Sequence, residues 1–276
     1  MKINKFLYWL LIVILVALFL ISGTFIVRYA IDALQQKDEY DQLAAMVDQA
    51  RSDSATPSEP TDPFQLDEPD VPEQPTAPTD PTEPSILPEY ASLYELNPDM
   101  VGWMTIEGTP INYPVMQTPD RVDYYLKRNF NKEQSAHGCL YVRESCDVFA
   151  PSDNVTIYGH HMKDGSMFTS LKKFRSQSFW EEYSTINFDT LYEHHTYTIF
   201  AVFTTTASIG EGFPYHQFED AEDQADFDNF VATCKKLSLI DTGITPEYGD
   251  KIICLSTCEY SQTNGRLVVA AVRDTE

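Results

Sequence analysis

One cysteine, one histidine pair and one arginine lie in sequence settings that suit nucleophilic chemistry. Cys258 ends a predicted strand over residues 250–258, and Arg266 begins another over residues 266–272. The seven residues between them include the turn signal Asn264-Gly265, so the strands are predicted to pair with Cys258 opposite Arg266. A cation beside a thiol favours the thiolate, which is the nucleophilic form of cysteine.

His160 is the candidate acid and base for such a thiol. Residues 154–160 alternate as a strand does, which places Tyr158 and His160 on one face. The preceding Gly159 would let the backbone approach a ligand. His161 would face the other way and is interpreted as a structural neighbour. The remaining histidines are interpreted as ordinary surface or core residues: His137, His194, His195 and His216.

These segments resemble the sortase family, and specifically its class B members. The family's T-L-x-T-C motif matches residues 254–258, with Cys254 in place of the first Thr at an expected packing position. Three class B patterns also match: I-N-Y-P-V at 111–115, Y-G-H-H-M-x-D-G-x-M-F at 158–168 and N-G-R-L-V-V at 264–269. The resemblance covers roughly residues 90–273.

The resemblance implies a fold and an activity. The fold is mainly β with added helices (α+β): a closed β-barrel with N-terminal helices and a helix in the connection before the cysteine strand. The activity is that of a cysteine transpeptidase, which cleaves a C-terminal sorting signal at Thr, holds it as a thioester on Cys258 and passes it to an amine. His160 would act as acid and base, and Arg266 with the backbone N–H of Glu259 would stabilise the oxyanion. Substrate contacts are implied at the matching motif positions: Asn112, Met116, Tyr158, Ser256, Thr257 and Glu259.

The implied partners are surface proteins that bear a C-terminal sorting signal, with a peptidoglycan precursor or a pilin amine as acceptor. Peptidoglycan anchoring is favoured over pilin polymerisation. A cysteine protease would use the same Cys258 and His160 but deliver water, and a membrane-tethered binding or structural module would use neither. The chemistry requires no cofactor, and a metal site at His160, His161 and Asp164 is the disfavoured alternative.

Composition narrows the class of partner. The chain has 276 residues and a formal charge of −23, which argues against nucleic acid because phosphate binding relies on clustered Lys and Arg. No Lys or Arg occurs between Arg51 and Arg121, so the acidity is concentrated outside the predicted core. A chain of this length predicts one catalytic domain.

Residues 6–27 form an uncharged apolar run of a length that suits one membrane-spanning helix. A cleaved signal peptide is the alternative, but its apolar part is typically shorter. Lys2 and Lys5 place the tail at residues 1–5 in the cytoplasm, and the catalytic domain outside the cell, by the positive-inside rule. We therefore expect a single-pass membrane protein.

Three further segments follow the anchor. Residues 28–56 predict a juxtamembrane helix, with a solvated helix favoured over a short coiled coil because the apolar repeat is interrupted at residues 35–40. Residues 57–88 are rich in Pro and acidic residues and predict an extended spacer that could reach roughly 100 Å. Residues 89–276 form the predicted catalytic domain, including a helix over residues 220–239.

Five cysteines in an exported chain leave at least one unpaired. Cys258 is expected to be that one. Cys139 and Cys146 are close enough in sequence to form a disulfide, but free, partly buried thiols are an equally good interpretation. Cys234 and Cys254 are interpreted as core residues.

Overall fold

Eight strands form a closed β-barrel in the computed structural model, which describes residues 5–55, 84–208, 210–261 and 263–275. The strands are β1 (Met100–Thr105), β2 (Asn112–Met116), β3 (Leu140–Val142), β4 (Asn154–Tyr158), β5 (Thr185–Thr190), β6 (Thr196–Thr206), β7 (Ile252–Cys258) and β8 (Gly265–Arg273). Around the barrel their order is β1-β2-β3-β4-β7-β8-β6-β5. The predicted closed barrel is confirmed.

Helices flank the barrel on several connections. The α-helices are α1 (Lys5–Ala55), α2 (Pro88–Leu96), α3 (Gln177–Glu182) and α4 (Gln224–Leu237), and 3₁₀ helices cover Tyr124–Lys127, Phe168–Arg175 and Tyr215–Gln217. The side chain of Asp223 caps α4 by accepting from the Asp226 N–H, and Lys235 and Lys236 lie in its last turn, where the helix dipole favours cations. The predicted helix before the cysteine strand is therefore confirmed.

Strands β7 and β8 are buried on both faces. Ile253 and Leu255 pack in the larger apolar cluster, whereas their neighbour Cys254 packs in a second cluster with Phe227 and Phe230 of α4. Because α4 covers one face, these strands have continuous apolar sequences instead of the alternating pattern of a half-exposed sheet.

Strand pairing sets which residues meet at one end of the barrel. β4 and β7 run parallel, with Tyr158 beside Ser256, and β8 returns antiparallel to β7. The end at which β4 and β7 finish and β8 begins is called the Cys258 rim below.

The juxtamembrane segment packs on the barrel. α1 is a single helix from Lys5 to Ala55, and Tyr40, Leu43 and Val47 on one of its faces are buried. Gln36, in the interrupted part of the apolar repeat, is also buried, and its Oε1 accepts from Ser135 Oγ at 2.6 Å. The expectation of a solvated helix was wrong, because one face of α1 is buried on the barrel. The polar residue Gln36 belongs to this face through its hydrogen bond, and a search for periodic apolar residues does not detect such a contact.

The same helix contains the apolar N-terminal run. By length and composition α1 is the one helix in the described part of the chain that could cross a membrane, with a mean hydropathy of 3.1 in its most apolar window. That window is not buried against the protein. The predicted boundary between the anchor and the juxtamembrane segment falls inside this continuous helix and stays a prediction.

The Pro-rich linker does not separate the barrel from α1. Most of the linker, residues 57–83, lies outside the described residues, but the chain on either side of it is in contact. Arg51 near the end of α1 donates to Tyr90 Oη of α2 at 2.7 Å and lies 3.6 Å from the Glu89 carboxylate. The α1 helix therefore reaches the barrel before the linker begins, while the predicted extended spacer lies outside the described residues and stays a prediction.

Tyr40 provides a test of this packing. Tyr40 is 4% exposed and donates from Oη to Gly138 O at 2.7 Å. We expect Tyr40→Ala to lower the free energy of unfolding by about 3 kcal/mol, because it leaves a cavity and an unpaired carbonyl. Urea unfolding of the full chain in detergent micelles measures this change.

Met46→Ala on an exposed face of the same helix is the matched control. It should change the free energy of unfolding by less than about 0.5 kcal/mol. Equal and small effects of the two substitutions would contradict the packing of α1 on the barrel.

Candidate active site

Cys258 and Arg266 lie directly opposite each other across β7 and β8, as the sequence predicts. Both side chains are half-buried. The connection turns at Asn264, whose φ of 53° lies in the left-handed region that Asn tolerates. The Arg266 guanidinium folds back along its own strand, and Nη1 donates to Gly265 O at 3.0 Å and to Asn264 O at 3.3 Å. A guanidinium has five N–H donors, so other donors of Arg266 can serve an anionic ligand.

Gly159 brings the histidine pair to the same rim. Its N–H donates to Ser256 O at 3.1 Å, which continues the pairing of β4 with β7 past Tyr158. A Cβ on Gly159 would lie 2.5 Å from the Phe168 ring and 2.6 Å from Leu140 Cδ2. Close packing therefore requires glycine here, whereas the sequence suggested the approach of a ligand.

Each histidine is held by a different backbone carbonyl. His160 Nε2 lies 2.6 Å from Leu126 O, and His161 Nδ1 lies 2.9 Å from Cys258 O. Since a carbonyl only accepts, each of these nitrogens carries a proton. Both rings are half-buried, and the His161 ring also contacts the Tyr260 ring edge-on, at 5.2 Å between centroids. The structure thus places His161 against the main chain of the cysteine and not on a remote face of the strand.

Three of the six predicted substrate contacts are buried. Ser256 Oγ lies 2.6 Å from Tyr215 Oη, so these hydroxyls share a hydrogen bond. Thr257 and Met116 are also buried, and Thr257 Oγ1 has no hydrogen-bond partner among the described residues. None of the three presents an open surface in this structure, and their contact with substrate stays a prediction.

Tyr158 lies closer to the surface, beside the ring of Tyr141 with 5.4 Å between centroids. Burial raises the pKa of the Tyr158 phenol, and a hydrogen bond with Arg143 opposes that rise. Asn112 is exposed, and its Oδ1 accepts from Trp103 Nε1 at 2.6 Å. Asn112 also lines a cavity that the barrel shares with α1. Its predicted contact with substrate is likewise untested.

Glu259 follows the cysteine and has two roles in the structure. Hydrogen bonds from Ser261 lower the pKa of its carboxyl, and Arg175 lies 3.7 Å from it. Its backbone N–H donates to Gly265 O at 2.9 Å. In this structure the N–H is therefore used by the pairing of β7 with β8, and its expected help at the oxyanion stays a prediction.

Several site residues had no signal in the sequence. Leu126 acts through a backbone carbonyl, which any residue type supplies. Tyr215 reaches Ser256 from the connection after β6, and Arg175 reaches Glu259 from a 3₁₀ helix, each across a long sequence separation. These contacts depend on the closure of the barrel and not on local patterns.

Accessibility separates Cys258 from the other cysteines. All five thiols are free, and Cys139, Cys146, Cys234 and Cys254 are buried whereas Cys258 is half-buried. Burial raises the pKa of Cys139 to about 12 and that of Cys146 to about 11. Burial also raises the pKa values of Cys234 and Cys254. The buried four are therefore held as thiols, which are poor nucleophiles.

Known proteins are similar to this chain in sequence. A family model described as "Sortase domain" matches residues 104–274. Sortase B of Staphylococcus aureus is 33% identical over 188 residues, which cover 67% of this chain and 75% of that protein. Sortase B of Listeria monocytogenes is 34% identical over 183 residues, which cover 66% of this chain and 72% of that protein.

A solved structure agrees over a longer span. The Staphylococcus aureus sortase B–substrate complex superposes with a TM-score of 0.72 and 27% identity, and the match covers 89% of this chain and 99% of that one. The barrel order, the opposed cysteine and arginine and the histidine pair at one rim fit the same assignment. This chain belongs to the sortase family and is a class B sortase, a cysteine transpeptidase of the family that anchors surface proteins.

Proposed function

We propose that this chain is a membrane-anchored transpeptidase that cleaves a C-terminal sorting signal at Thr and transfers the protein to a cell-wall amine. The register of β4, β7 and β8 carries the proposal. The register pairs Cys258 with Arg266 across β7 and β8. It also pairs Tyr158 with Ser256, so that His160, two residues after Tyr158, and Cys258, two residues after Ser256, follow the ends of two adjacent strands. A thiol, a proton carrier and a fixed cation thus share the Cys258 rim.

The reaction proceeds in two acyl transfers. The Cys258 thiolate attacks the carbonyl carbon of the substrate Thr, and the C–N bond breaks as His160 protonates the leaving amine. The product is a thioester on Cys258. An incoming amine then attacks the thioester, His160 takes the proton of that amine, and Cys258 leaves as a thiolate.

Arg266 stabilises the oxyanion of both tetrahedral intermediates. Its side chain reaches the rim from the strand opposite the nucleophile, and its planar fork offers parallel donors. The Glu259 N–H donates to Gly265 O within the sheet. We therefore assign the larger share of the oxyanion stabilisation to Arg266.

The N-terminal half of α1 is the proposed anchor, with the N-terminus in the cytoplasm and the barrel outside the cell. The apolar run at residues 6–27 and the flanking Lys2, Lys5 and Arg28 support this topology. The donors are surface proteins with a C-terminal sorting signal, and a peptidoglycan precursor supplies the amine. The solved Staphylococcus aureus relative is a complex with its substrate, which supports a substrate-binding role for the corresponding site here.

Cys258→Ala and Cys258→Ser should abolish transfer and leave the fold intact, because a half-buried thiol at a strand end contributes little core volume. Incubation of the unsubstituted chain with a panel of sorting peptides, followed by intact-mass analysis, should detect a thioester on Cys258. Addition of triglycine should convert the adduct to a ligated peptide.

Cys234→Ala is the matched control, since that buried thiol should be dispensable for the reaction. An adduct on any of the four buried cysteines would contradict the assignment. Release of hydrolysed peptide with no ligated product at any amine concentration would identify a protease instead.

His160→Ala should lower kcat/KM by two to four orders of magnitude, the usual contribution of general acid–base catalysis. His161→Ala should retain a substantial fraction of the activity, because only one of two adjacent strand residues can face the Cys258 thiol. Steady-state kinetics with a cleavable peptide measure both, with circular dichroism to confirm folding. Equal losses in two folded variants would remove the basis for choosing His160.

Arg266→Lys should lower kcat by about 10²–10³-fold with little change in KM, because an ammonium ion cannot reproduce the guanidinium fork. Arg266→Ala should lose at least as much. Arg273→Lys, at the opposite end of β8, is the matched control and should keep full turnover. Turnover close to that of the unsubstituted chain in either Arg266 variant would refute its role at the oxyanion.

A further inference from the structure

Two regions of α1, separated along the axis of this helix, contact the barrel. Near the start of the contact, the Asp32 carboxylate lies 3.4 Å from the Ala136 N–H, and Gln36 pairs with Ser135. Near its end, Arg51 donates to the Asp189 carboxylate at 3.1 Å. At 1.5 Å per residue, α1 runs along the barrel for about 28 Å between Asp32 and Arg51. The helix therefore fixes both the position and the orientation of the barrel along its axis.

The lower end of this contact coincides with the proposed active site. A cleft of about 550 Å³ is lined by Phe25, Arg28, Tyr29 and Asp32 of α1 together with barrel residues that include Lys127, Gln134 and His160. His160 also contacts Leu126 of the 3₁₀ helix Tyr124–Lys127. The histidine side of the Cys258 rim thus lies level with residues 25–32 of α1.

The apolar run of α1 ends at the same level. Its last residue is Val27, and Asp32 lies only five residues, or about 8 Å, farther along the axis. The Arg51 end lies about 36 Å beyond Val27. If the barrel were held by an extended spacer, no such relation between the rim and the apolar run would exist.

We propose that the lipid headgroup layer is a docking partner of this rim, with residues 134–136 and the 3₁₀ helix Tyr124–Lys127 resting on the membrane surface. The inference rests on the membrane anchor of the proposed function. Arg28 and Lys127 are exposed on this side of a chain whose net charge is −23, and cations at this height suit lipid phosphates. The cleft beside His160 then opens at the bilayer surface, and α1 holds it there.

Depth-dependent fluorescence quenching tests this arrangement. In a Cys258→Ala background the remaining cysteines are buried, so single exposed positions can be labelled with a fluorophore through Leu18→Cys, Gln134→Cys or Glu193→Cys. The full chain is reconstituted in vesicles of phosphatidylcholine and phosphatidylglycerol that carry bromine on shallow acyl carbons. Glu193 is the matched control, because it lies on the barrel near the Arg51 end of α1.

We expect strong quenching at Leu18 and Gln134, and several-fold weaker quenching at Glu193. Quenching at Leu18 with Gln134 no more quenched than Glu193 would overturn the docking while leaving the anchor intact. Absence of quenching at Leu18 would overturn the anchor itself, and with it the docking.

A helical insertion gives an independent check. Seven alanine and glutamine residues inserted after Arg28 add two turns, which nearly preserve the helix phase, leave the apolar run unchanged and raise the barrel by about 10 Å. Quenching at Gln134 should then fall while quenching at Leu18 is unchanged. Unchanged quenching at Gln134 would mean that α1 does not set the height of the rim, and the proposal would fail.

Discussion

The parallel pairing of β4 with β7 is the constraint on which the site depends. Tyr158 lies beside Ser256, and the pairing extends by one more hydrogen bond, from Gly159 N–H to Ser256 O. Since neither strand can slip without moving its buried residues to the wrong face, the ends of both strands stay at the same rim. The hairpin of β7 and β8 then adds Arg266 opposite Cys258. One register thus positions residues from three separate parts of the chain.

Burial decides which thiol can react. Four cysteines lie in the apolar clusters, where desolvation disfavours the thiolate and raises their pKa values. Cys258 belongs to the same strand as Cys254 but lies at the end of that strand, where its side chain is only half-buried. The contrast within one strand shows that position, and not residue type, separates a structural cysteine from the proposed nucleophile.

The N-terminal helix links the site to its surroundings. Tyr40, Leu43 and Val47 bury one face of α1 on the barrel, and Arg51 joins the end of α1 to α2. The hydrogen bond between Arg51 and Tyr90 brings the described residues on the two sides of the linker together. If the apolar part of α1 is the membrane anchor, this one continuous helix connects the anchor to the barrel.

The amino-acid sequence by itself determined the local features: the apolar strands, the capped helix α4, the turn at Asn264-Gly265 and the opposition of Cys258 and Arg266, because hairpin register follows from short-range turn chemistry. Closure of the barrel decided the rest. The carbonyls that hold His160 and His161, the hydroxyl of Tyr215 on Ser256 and the face of α1 that packs through Gln36 all join residues far apart in the chain. Every residue type has a backbone carbonyl, so the sequence cannot show which carbonyl binds a histidine. The sequence also does not show whether a glutamine is buried or solvated, so only the tertiary structure identifies these contacts.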